Sequence, residues 1–311
     1  MSMIYVLSRL LCIIGIIHKG VATLLFSNSG VTKPFHLRNS LVIKTHVCSE
    51  TAIQRVSLAR TNNAYDVYLL LFSFTNTSLH DDECQRLLRQ YNIPRSFVLF
   101  ANMLSLFPTL LTDAQHIPWA KEEPQQSLSS LPDCFVEPLF ETYQYIWVFE
   151  YDVWWLGSLS EALQINDALS GNADFICVTG NEGTSFDFKW HARVEQKWDE
   201  KYMKSHNLHV SDMDGCLIPA SRYSKRLLHH ACDMTISSKA YFFSELWAPM
   251  LCKSLDGCIV SRLARETTTC HFNWAPPKGI AGHLCTSDMY EQNCKNMTTS
   301  QLVHPLKFRI K

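Results

Sequence analysis

Short, mostly apolar runs of strand length recur along the chain, and segments with helical patterning lie between them. The apolar runs are residues 41–45, 67–72, 97–100, 145–149 and 174–179. The helical segments are residues 50–60, 81–91, 135–143 and 158–169. Alternating strands and helices are typical of right-handed βαβ units, whose strands form a parallel sheet. We therefore predict an α/β fold in which helices flank a mostly parallel central sheet.

The pattern is less regular in two other regions. Residues 118–132 are rich in Pro, Gln and Ser, which predicts an exposed loop. Residues 180–210 mix aromatic, histidine and charged side chains without a clear period, which indicates an irregular subdomain. Beyond them the sequence predicts two further helices and a strand, at residues 221–232, 244–252 and 258–263.

The apolar run at residues 145–149 is followed at once by two acidic residues, Glu150 and Asp152. Its composition predicts a strand buried on both faces, as at the centre of a parallel sheet. Residues two apart in an extended chain project to the same side, so the two carboxylates are expected side by side. Gly157 then turns the chain, and residues 158–161 form a capping box that begins a helix. This order places both acids at an accessible rim of the sheet.

Two neighbouring carboxylates repel each other unless a positive charge lies between them. Oxygen ligands suit Mg²⁺ and Mn²⁺. The carboxyl ends of strands in open α/β sheets are also where ligands bind. The acidic pair therefore predicts a divalent cation at the end of this strand, and a solvated turn is the alternative interpretation.

Residues 147–159, WVFEYDVWWLGSL, resemble the acidic metal-binding motif of GT-A nucleotide-sugar glycosyltransferases in its Glu-x-Asp form. The resemblance extends over residues 41–307 and is specific around this motif. It implies a Rossmann-like GT-A sheet, an Mn²⁺ or Mg²⁺ ion, and transfer of a sugar from a nucleotide-sugar donor to a glycan, protein or lipid acceptor. In this resemblance Glu150 and Asp152 hold the metal, and Tyr151 and Asp152 contact the donor.

The same resemblance assigns roles to residues later in the chain. Glu245, at the start of a predicted helix, resembles an acid that takes the proton of the acceptor or holds the donor sugar. Asp214 is a second catalytic candidate for accepting that proton, not from the resemblance but from its acidic turn, which could bind an acceptor hydroxyl. His304 resembles a late histidine that completes the metal site, and Lys307 resembles a basic residue for the departing diphosphate. Residues 180–210 would shape the acceptor side. Helix-dipole stabilisation of Glu245, a turn cap at Asp214 and a structural histidine are the simpler alternatives.

Other functions remain open at this stage. A metal-dependent hydrolase of phosphate esters could use the same acids, although the sequence has no second compact cluster with metal-ligand spacing. A carbohydrate-binding protein without catalytic activity would explain the aromatic residues. A purely structural interpretation leaves the acids at a buried strand end without a reason. No phosphate-binding Gly-rich loop, nucleophile elbow or dinucleotide fingerprint is present.

The composition excludes some classes of partner. The chain has 311 residues, a formal net charge of −1 and no long basic run, which argues against nucleic acid. Its 47% hydrophobic content is sufficient for a substantial core. The 12 cysteines show no Cys-x-x-Cys pair, so structural zinc is not expected, whereas disulfides fit an oxidising compartment. Those near the C-terminus are Cys258, Cys270, Cys285 and Cys294.

The N-terminal residues 1–35 predict a targeting segment and linker, and residues 36–311 a single catalytic domain. The apolar run at residues 10–17 follows Arg9 and fits a secretory signal or a signal-anchor. A full membrane span is less consistent with the sequence, because His18 and Lys19 interrupt it. A buried first helix is the alternative. We expect a protein of the secretory pathway, in the Golgi or ER membrane with the catalytic domain in the lumen.

Overall fold

Seven strands form a central sheet, and two more form a small second sheet, in a computed structural model of the protein. The structure describes residues 39–61, 64–74, 82–110, 128–178, 216–238, 244–264, 267–268 and 300–303. The strands are β1 Asn39–Thr45, β2 Asp66–Ser73, β3 Val98–Asn102, β4 Tyr145–Glu150, β5 Trp154–Leu156, β6 Phe175–Val178, β7 Leu217–Ser224, β8 Val260–Arg262 and β9 Gln301–Val303.

The strand order in the large sheet is β3-β2-β1-β4-β7-β6-β8. Strands β3, β2, β1 and β4 are parallel to one another, and β6 is parallel to β8. Strand β7 is antiparallel to both of its neighbours. The prediction of an α/β fold with a mostly parallel central sheet flanked by helices is confirmed.

Helices cover both faces of this sheet. They are α1 Glu50–Thr61, α2 Asp82–Gln90, α3 Met103–Leu106, α4 Leu159–Ser170, α5 Lys225–Ser238 and α6 Ser244–Lys253, with 3-10 helices at Arg95–Phe97 and Leu131–Glu141. Apolar side chains of α1, α2 and α4 pack on one face. Those of α5, α6 and the longer 3-10 helix pack on the other.

Strand β4 lies at the centre of the sheet and is buried on both faces, as its composition predicts. Ile146 and Val148 belong to the core on one side, and Trp147 and Phe149 to the core on the other. None of these four side chains is more than 1% exposed. A continuous apolar run forms this strand because both alternating sets of side chains lose contact with water.

The first difference between the prediction and the structure concerns β7. The sequence predicts a helix from residue 221, but the strand continues to Ser224 and α5 begins at Lys225. Residues Ser221 and Arg222 are buried within the sheet, where Arg222 forms an ion pair with Asp167 of α4 at 2.7 Å. Ile218, Ala220 and Tyr223 of β7 belong to the hydrophobic clusters, but the strand has no continuous apolar run, because Arg222 is buried among them through its ion pair.

Asp167 accepts hydrogen bonds from four side chains on four different segments. Its Oδ1 accepts from Arg222 Nη1 at 2.7 Å and from Trp147 Nε1 at 3.2 Å. Its Oδ2 accepts from Asn39 Nδ2 and from the Tyr65 hydroxyl, both at 2.7 Å. Arg222 also donates to two carbonyl oxygens at the end of α4 and the turn after it. This cluster joins α4 to β1, β4 and β7 in the interior.

The second difference lies before β4. Residues 118–132 are predicted to be an exposed loop, but within the described part Leu128, Ser130, Leu131 and Pro132 are buried. The predicted helix at residues 135–143 is part of the 3-10 helix Leu131–Glu141, which contains Pro138. Proline removes an amide donor and disrupts α-helical hydrogen bonding, which accounts for the tighter helix.

Three disulfides link elements of the described part of the chain. They join Cys48 to Cys84, Cys134 to Cys232 and Cys252 to Cys258. Cys258 therefore pairs with a cysteine outside the C-terminal group singled out from the sequence, and Cys270, Cys285 and Cys294 lie outside the described residues.

The predictions for residues 1–35 and for residues 180–210 also lie outside the described residues, so they stay predictions. Within the part of the chain that the structure describes, no helix has the length and hydropathy needed to cross a membrane.

Candidate active site

The acidic motif lies where the direction of the strand order reverses. From β1 the chain moves outward to β2 and β3, and it then returns to β4 on the other side of β1. Helices cannot cover the crevice between two strands whose connections leave in opposite directions, and ligands of open α/β sheets bind there, outside the carboxyl ends of the strands. Glu150 is the last residue of β4, and Asp152 lies in the turn that follows.

Both acids are partly accessible at this position. The amide of Val153 donates to the Glu150 carbonyl oxygen at 3.0 Å, which closes a tight turn around Tyr151 and Asp152. The Glu150 carboxylate accepts a hydrogen bond from the hydroxyl of Ser129 at 3.3 Å. The pair lies at the end of a central strand, as predicted, but the chain turns after Glu150 instead of staying extended, so the extended-chain reason for expecting the two carboxylates side by side is wrong.

A buried lysine supports the floor of the crevice. Lys44 on β1 pairs in register with Glu150 on β4, and its side chain is 2% exposed. Its ammonium group donates to the Ser129 carbonyl oxygen at 2.7 Å and to Asp133 Oδ1 at 2.8 Å. Burial raises the pKa of Asp133, and the charge of Lys44 opposes that rise. The ion pair thereby fixes the backbone of Ser129 beside the acidic motif.

Helix α6 begins next to the same serine. Ser129 Oγ lies 3.0 Å from Ser244 Oγ, and the Ser130 hydroxyl donates to the Ser244 carbonyl oxygen at 2.9 Å. The next residue of the helix, Glu245, is only 3% exposed. The structure thus brings the helix start that carries Glu245 within two hydrogen bonds of Glu150.

Arg55 of α1 is a positive charge that interacts electrostatically with Asp152, and the sequence does not single it out. Its side chain is 2% exposed, and its guanidinium lies 5.5 Å from the centroid of the Trp154 ring. Burial lowers the pKa of Arg55 to about 10, while the negative charge of Asp152 opposes this. Burial and then the charge of Asp152 raise the pKa of Tyr151. The arginine partly neutralises the acidic turn.

Aromatic side chains line the carboxyl ends of β1, β2 and β4. The His46 ring lies 5.9 Å from Phe72 and 6.2 Å from Tyr151, between centroids. Phe72 in turn lies 5.9 Å from Phe74. Burial lowers the pKa of His46, so its ring is more readily neutral than a free histidine. His46 and Arg55 are site residues that sequence reasoning missed, since each lies in a segment without a motif.

The segment after the acidic motif is held by the distant strand β9. Trp154, Trp155 and Leu156 of β5 pair antiparallel with β9, and Trp154 lies opposite Val303. Gly157 has a φ of +73°, and a Cβ atom added to it would lie 2.7 Å from Ser300 Oγ. The Ser300 hydroxyl accepts from the Ser158 amide at 2.8 Å and donates to the Glu161 carboxylate.

The predicted capping box is therefore shared with Ser300. Ser158 Oγ accepts from the Glu161 amide at 3.3 Å, which is the expected N-cap bond. The reciprocal half of the box is replaced, because the Ser158 amide donates to Ser300 and the Glu161 carboxylate accepts from Ser300. The start of α4 and Ser300, just before β9, thus stabilise the same turn, which begins at Gly157, five residues after Asp152.

Three of the predicted site residues, Asp214, His304 and Lys307, lie outside the described residues. Among the residues that are described, no three His, Cys, Asp or Glu side chains group closely enough to hold a metal. Glu150 and Asp152 supply two oxygen-bearing side chains. The chain reaches residue 303 directly opposite Trp154, one residue before His304.

No protein-family model and no curated protein sequence matches the chain. Solved structures that resemble it include the bifunctional glycosyltransferase WbbM, with 13% identity, a TM-score of 0.47, and coverage of 91% of this chain and 48% of that one. The mannosyltransferase Ktr4p from S. cerevisiae in complex with GDP has 10% identity and a TM-score of 0.39, with 76% and 74% coverage.

The galactosyltransferase LgtC, in complex with donor and acceptor sugar analogs, has 8% identity and a TM-score of 0.43, with 74% of each chain covered. All three are glycosyltransferases. The chain spans about half the length of WbbM, at 48%. Identities of 8–13% with TM-scores below 0.5 do not assign a function to the chain.

Proposed function

We propose that the protein is a metal-dependent glycosyltransferase that moves a sugar from a nucleotide-sugar donor to a glycan, protein or lipid acceptor. The observation that carries this proposal is the position of Glu150 and Asp152. They lie at the carboxyl end of the central strand, at the point where the strand order reverses and where α/β sheets bind their ligands.

The acidic pair fits Mn²⁺ or Mg²⁺, because carboxylate oxygens are the ligands that both ions prefer. Glu150 and Asp152 would hold the ion, and His304 is proposed as a further ligand because the chain enters residue 304 from a strand paired with Trp154. When bound, such an ion would supply Lewis-acid chemistry to the departing diphosphate. Ser129, through its hydrogen bond, orients one of the two carboxylates.

The remaining residues would bind the donor and manage charge and protons. Tyr151 and Asp152 would contact the donor, and Lys307 would offset the charge that grows on the departing diphosphate. Glu245 or Asp214 would accept the proton of the acceptor hydroxyl if the reaction inverts the anomeric carbon. Glu245 directly follows Ser244, whose hydroxyl lies 3.0 Å from that of Ser129, and this supports its place near the acidic motif. A retaining reaction requires no such base.

The test is release of nucleoside diphosphate from a panel of nucleotide-sugars in the presence of Mn²⁺ and candidate acceptors. Asp152→Asn should lower turnover at least about a hundredfold, equivalent to about 3 kcal/mol of barrier. Asp233→Asn, the same change at an exposed position of α5, is the matched control and should leave turnover unchanged.

Other results would contradict the proposal. Binding of glycans without release of nucleoside diphosphate from any donor would favour a carbohydrate-binding protein. Release of phosphate from simple esters would favour the hydrolase. Equal turnover by Asp152→Asn and the wild type would show that the acidic motif has no part in the reaction.

For localisation we propose the secretory pathway, in the Golgi or ER membrane with a lumenal catalytic domain. Three disulfides support it, since disulfides persist in oxidising compartments and are rare in the cytosol. Alkylation of the denatured protein from cells, before and after reduction, tests this. All six of these cysteines should resist alkylation before reduction and become alkylated after it. Alkylation at these positions before reduction would contradict the assignment.

A further inference from the structure

A chain of polar contacts leads from the buried interior to the acidic motif, and Ser129 is its junction. The Ser129 carbonyl oxygen accepts from Lys44, and its hydroxyl lies within hydrogen-bond distance of both Glu150 and Ser244, at 3.3 and 3.0 Å. Lys44 is held by Asp133, and both side chains are at most 2% exposed. Ser129 therefore has a fixed backbone and a hydroxyl between two parts of the candidate site.

The direction of the hydrogen bonds follows from the chemistry of the groups. An ionised carboxylate can only accept, and a serine hydroxyl has one proton to donate. The Ser129 hydroxyl is the donor toward both Glu150, at 3.3 Å, and Ser244, at 3.0 Å, so its one proton has two possible acceptors. The ionised carboxylate is the stronger acceptor of the two, and the shared hydroxyl joins the start of α6 to the acidic strand end.

We propose that Ser129 is a positioning residue of the metal site. Its hydroxyl fixes the rotamer of the Glu150 carboxylate, and the Lys44–Asp133 pair holds Ser129 in place for this purpose. The inference rests on the proposed function, because it assumes that Glu150 contributes to a divalent cation site. It adds a residue that lies outside the acidic motif and has no motif of its own.

A hydrogen bond to a metal-binding carboxylate keeps its oxygens aimed at the ion before the ion binds. Without it, part of the binding free energy is used to order the side chain. Loss of such a partner typically lowers metal affinity by about 10–100-fold. Since the Ser129–Glu150 distance of 3.3 Å is long for a hydroxyl donor, we expect a change at the lower end, about tenfold.

The experiment is calorimetric titration of the full chain with Mn²⁺ alone, so that no donor or acceptor is needed. Ser129→Ala should weaken Mn²⁺ binding about tenfold. Ser129→Thr keeps the hydroxyl and should restore most of the affinity. Ser130→Ala is the matched control. The Ser130 hydroxyl also joins the loop to α6, by donating to the Ser244 carbonyl oxygen at 2.9 Å, but it does not position the Glu150 carboxylate.

Urea unfolding of all three variants separates positioning from loss of structure. Comparable stability losses in Ser129→Ala and Ser130→Ala, with weaker Mn²⁺ binding in Ser129→Ala alone, support the inference. Wild-type affinity in Ser129→Ala, or equal weakening in both variants, overturns it. If the wild type does not bind Mn²⁺, the metal requirement of the proposed function fails as well. Mn²⁺ binding that is indifferent to Ser129 overturns this inference only.

Discussion

Asp167 offers the sharpest test of how the core is held together, because one buried carboxylate satisfies four donors. Asp167→Asn keeps the shape of the side chain but removes its charge and turns one oxygen into an NH₂ group. Each oxygen of Asp167 accepts from two donors, so the new NH₂ group faces two N–H or O–H groups in either orientation. Arg222, with a fully buried side chain, loses its counter-charge.

The expected loss of stability is set by the exposed fraction of the pair, 0% for Arg222 and 4% for Asp167. Breaking a buried ion pair by changing one partner costs about 3–5 kcal/mol. Arg222 still donates to the carbonyl oxygens of Gly171 and Ala173, which lowers the cost of leaving it buried. We therefore expect a loss of about 3 kcal/mol for Asp167→Asn.

The measurement is urea unfolding at neutral pH with the disulfides intact, followed by circular dichroism. Glu83→Gln is the matched control, since it removes the same charge from an exposed pair with Arg86. Exposed pairs contribute little, so its midpoint should hardly move. If Asp167→Asn unfolds within about 1 kcal/mol of the wild type at an unchanged m-value, the cluster does not stabilise the fold as argued.

Two further predictions concern the turn after the acidic motif and the amino end of the sheet. Gly157→Ala should destabilise the protein by about 1–3 kcal/mol more than Gly171→Ala in thermal unfolding. Both glycines have a positive φ, but of the two only Gly157 has a neighbour, Ser300, that an added Cβ atom would meet. Equal losses of stability in the two variants would refute the steric argument. Burial alone would raise the pKa of Asp174, but hydrogen bonds from Arg226 lower it. The ionised carboxylate of Asp174 therefore stabilises the fold above its unfolded-state pKa. This stabilisation is lost as the pH falls through its folded-state pKa. Arg226→Met should therefore unfold at lower urea than the wild type at pH 7, and a difference that persists in strong acid would contradict this.

The parallel half of the sheet could be predicted from sequence because its strands are buried on both faces. Strands β1, β2 and β4 carry continuous apolar residues, and this pattern depends on burial rather than on the identity of a partner strand. The acidic pair could also be recognised from the sequence, because two carboxylates directly after an apolar run are unexpected at the end of a buried strand.

Strand β7 could not be predicted in the same way. Its segment 221–224 is polar, and its place in the sheet depends on Arg222 reaching Asp167, 55 residues away in sequence. The local sequence before α5 fits a helix equally well. Only the tertiary partner decides between the two, and nothing in the neighbouring residues indicates that partner.

The supporting residues of the candidate site were hidden for a related reason. Lys44, Arg55 and Ser129 are common surface residue types, and the sequence gives no sign that two of them are buried cations beside the acidic motif. Lys44 is recognised only through Asp133, which is 89 positions later. Residues that belong to a motif can be recognised in the sequence, whereas residues that support a motif from distant segments are recognised only in the structure.

The pairing of β5 with β9 joins segments that the ribosome synthesises at different times. All seven strands of the large sheet lie before residue 263, whereas the strand that pairs with β5 among the described residues is at residues 301–303. The scaffold of the sheet is therefore synthesised before the strand that holds the segment after Asp152. A chain shortened just before Ser300 would keep the framework but leave Gly157 and the two tryptophans of β5 without the strand that pins them.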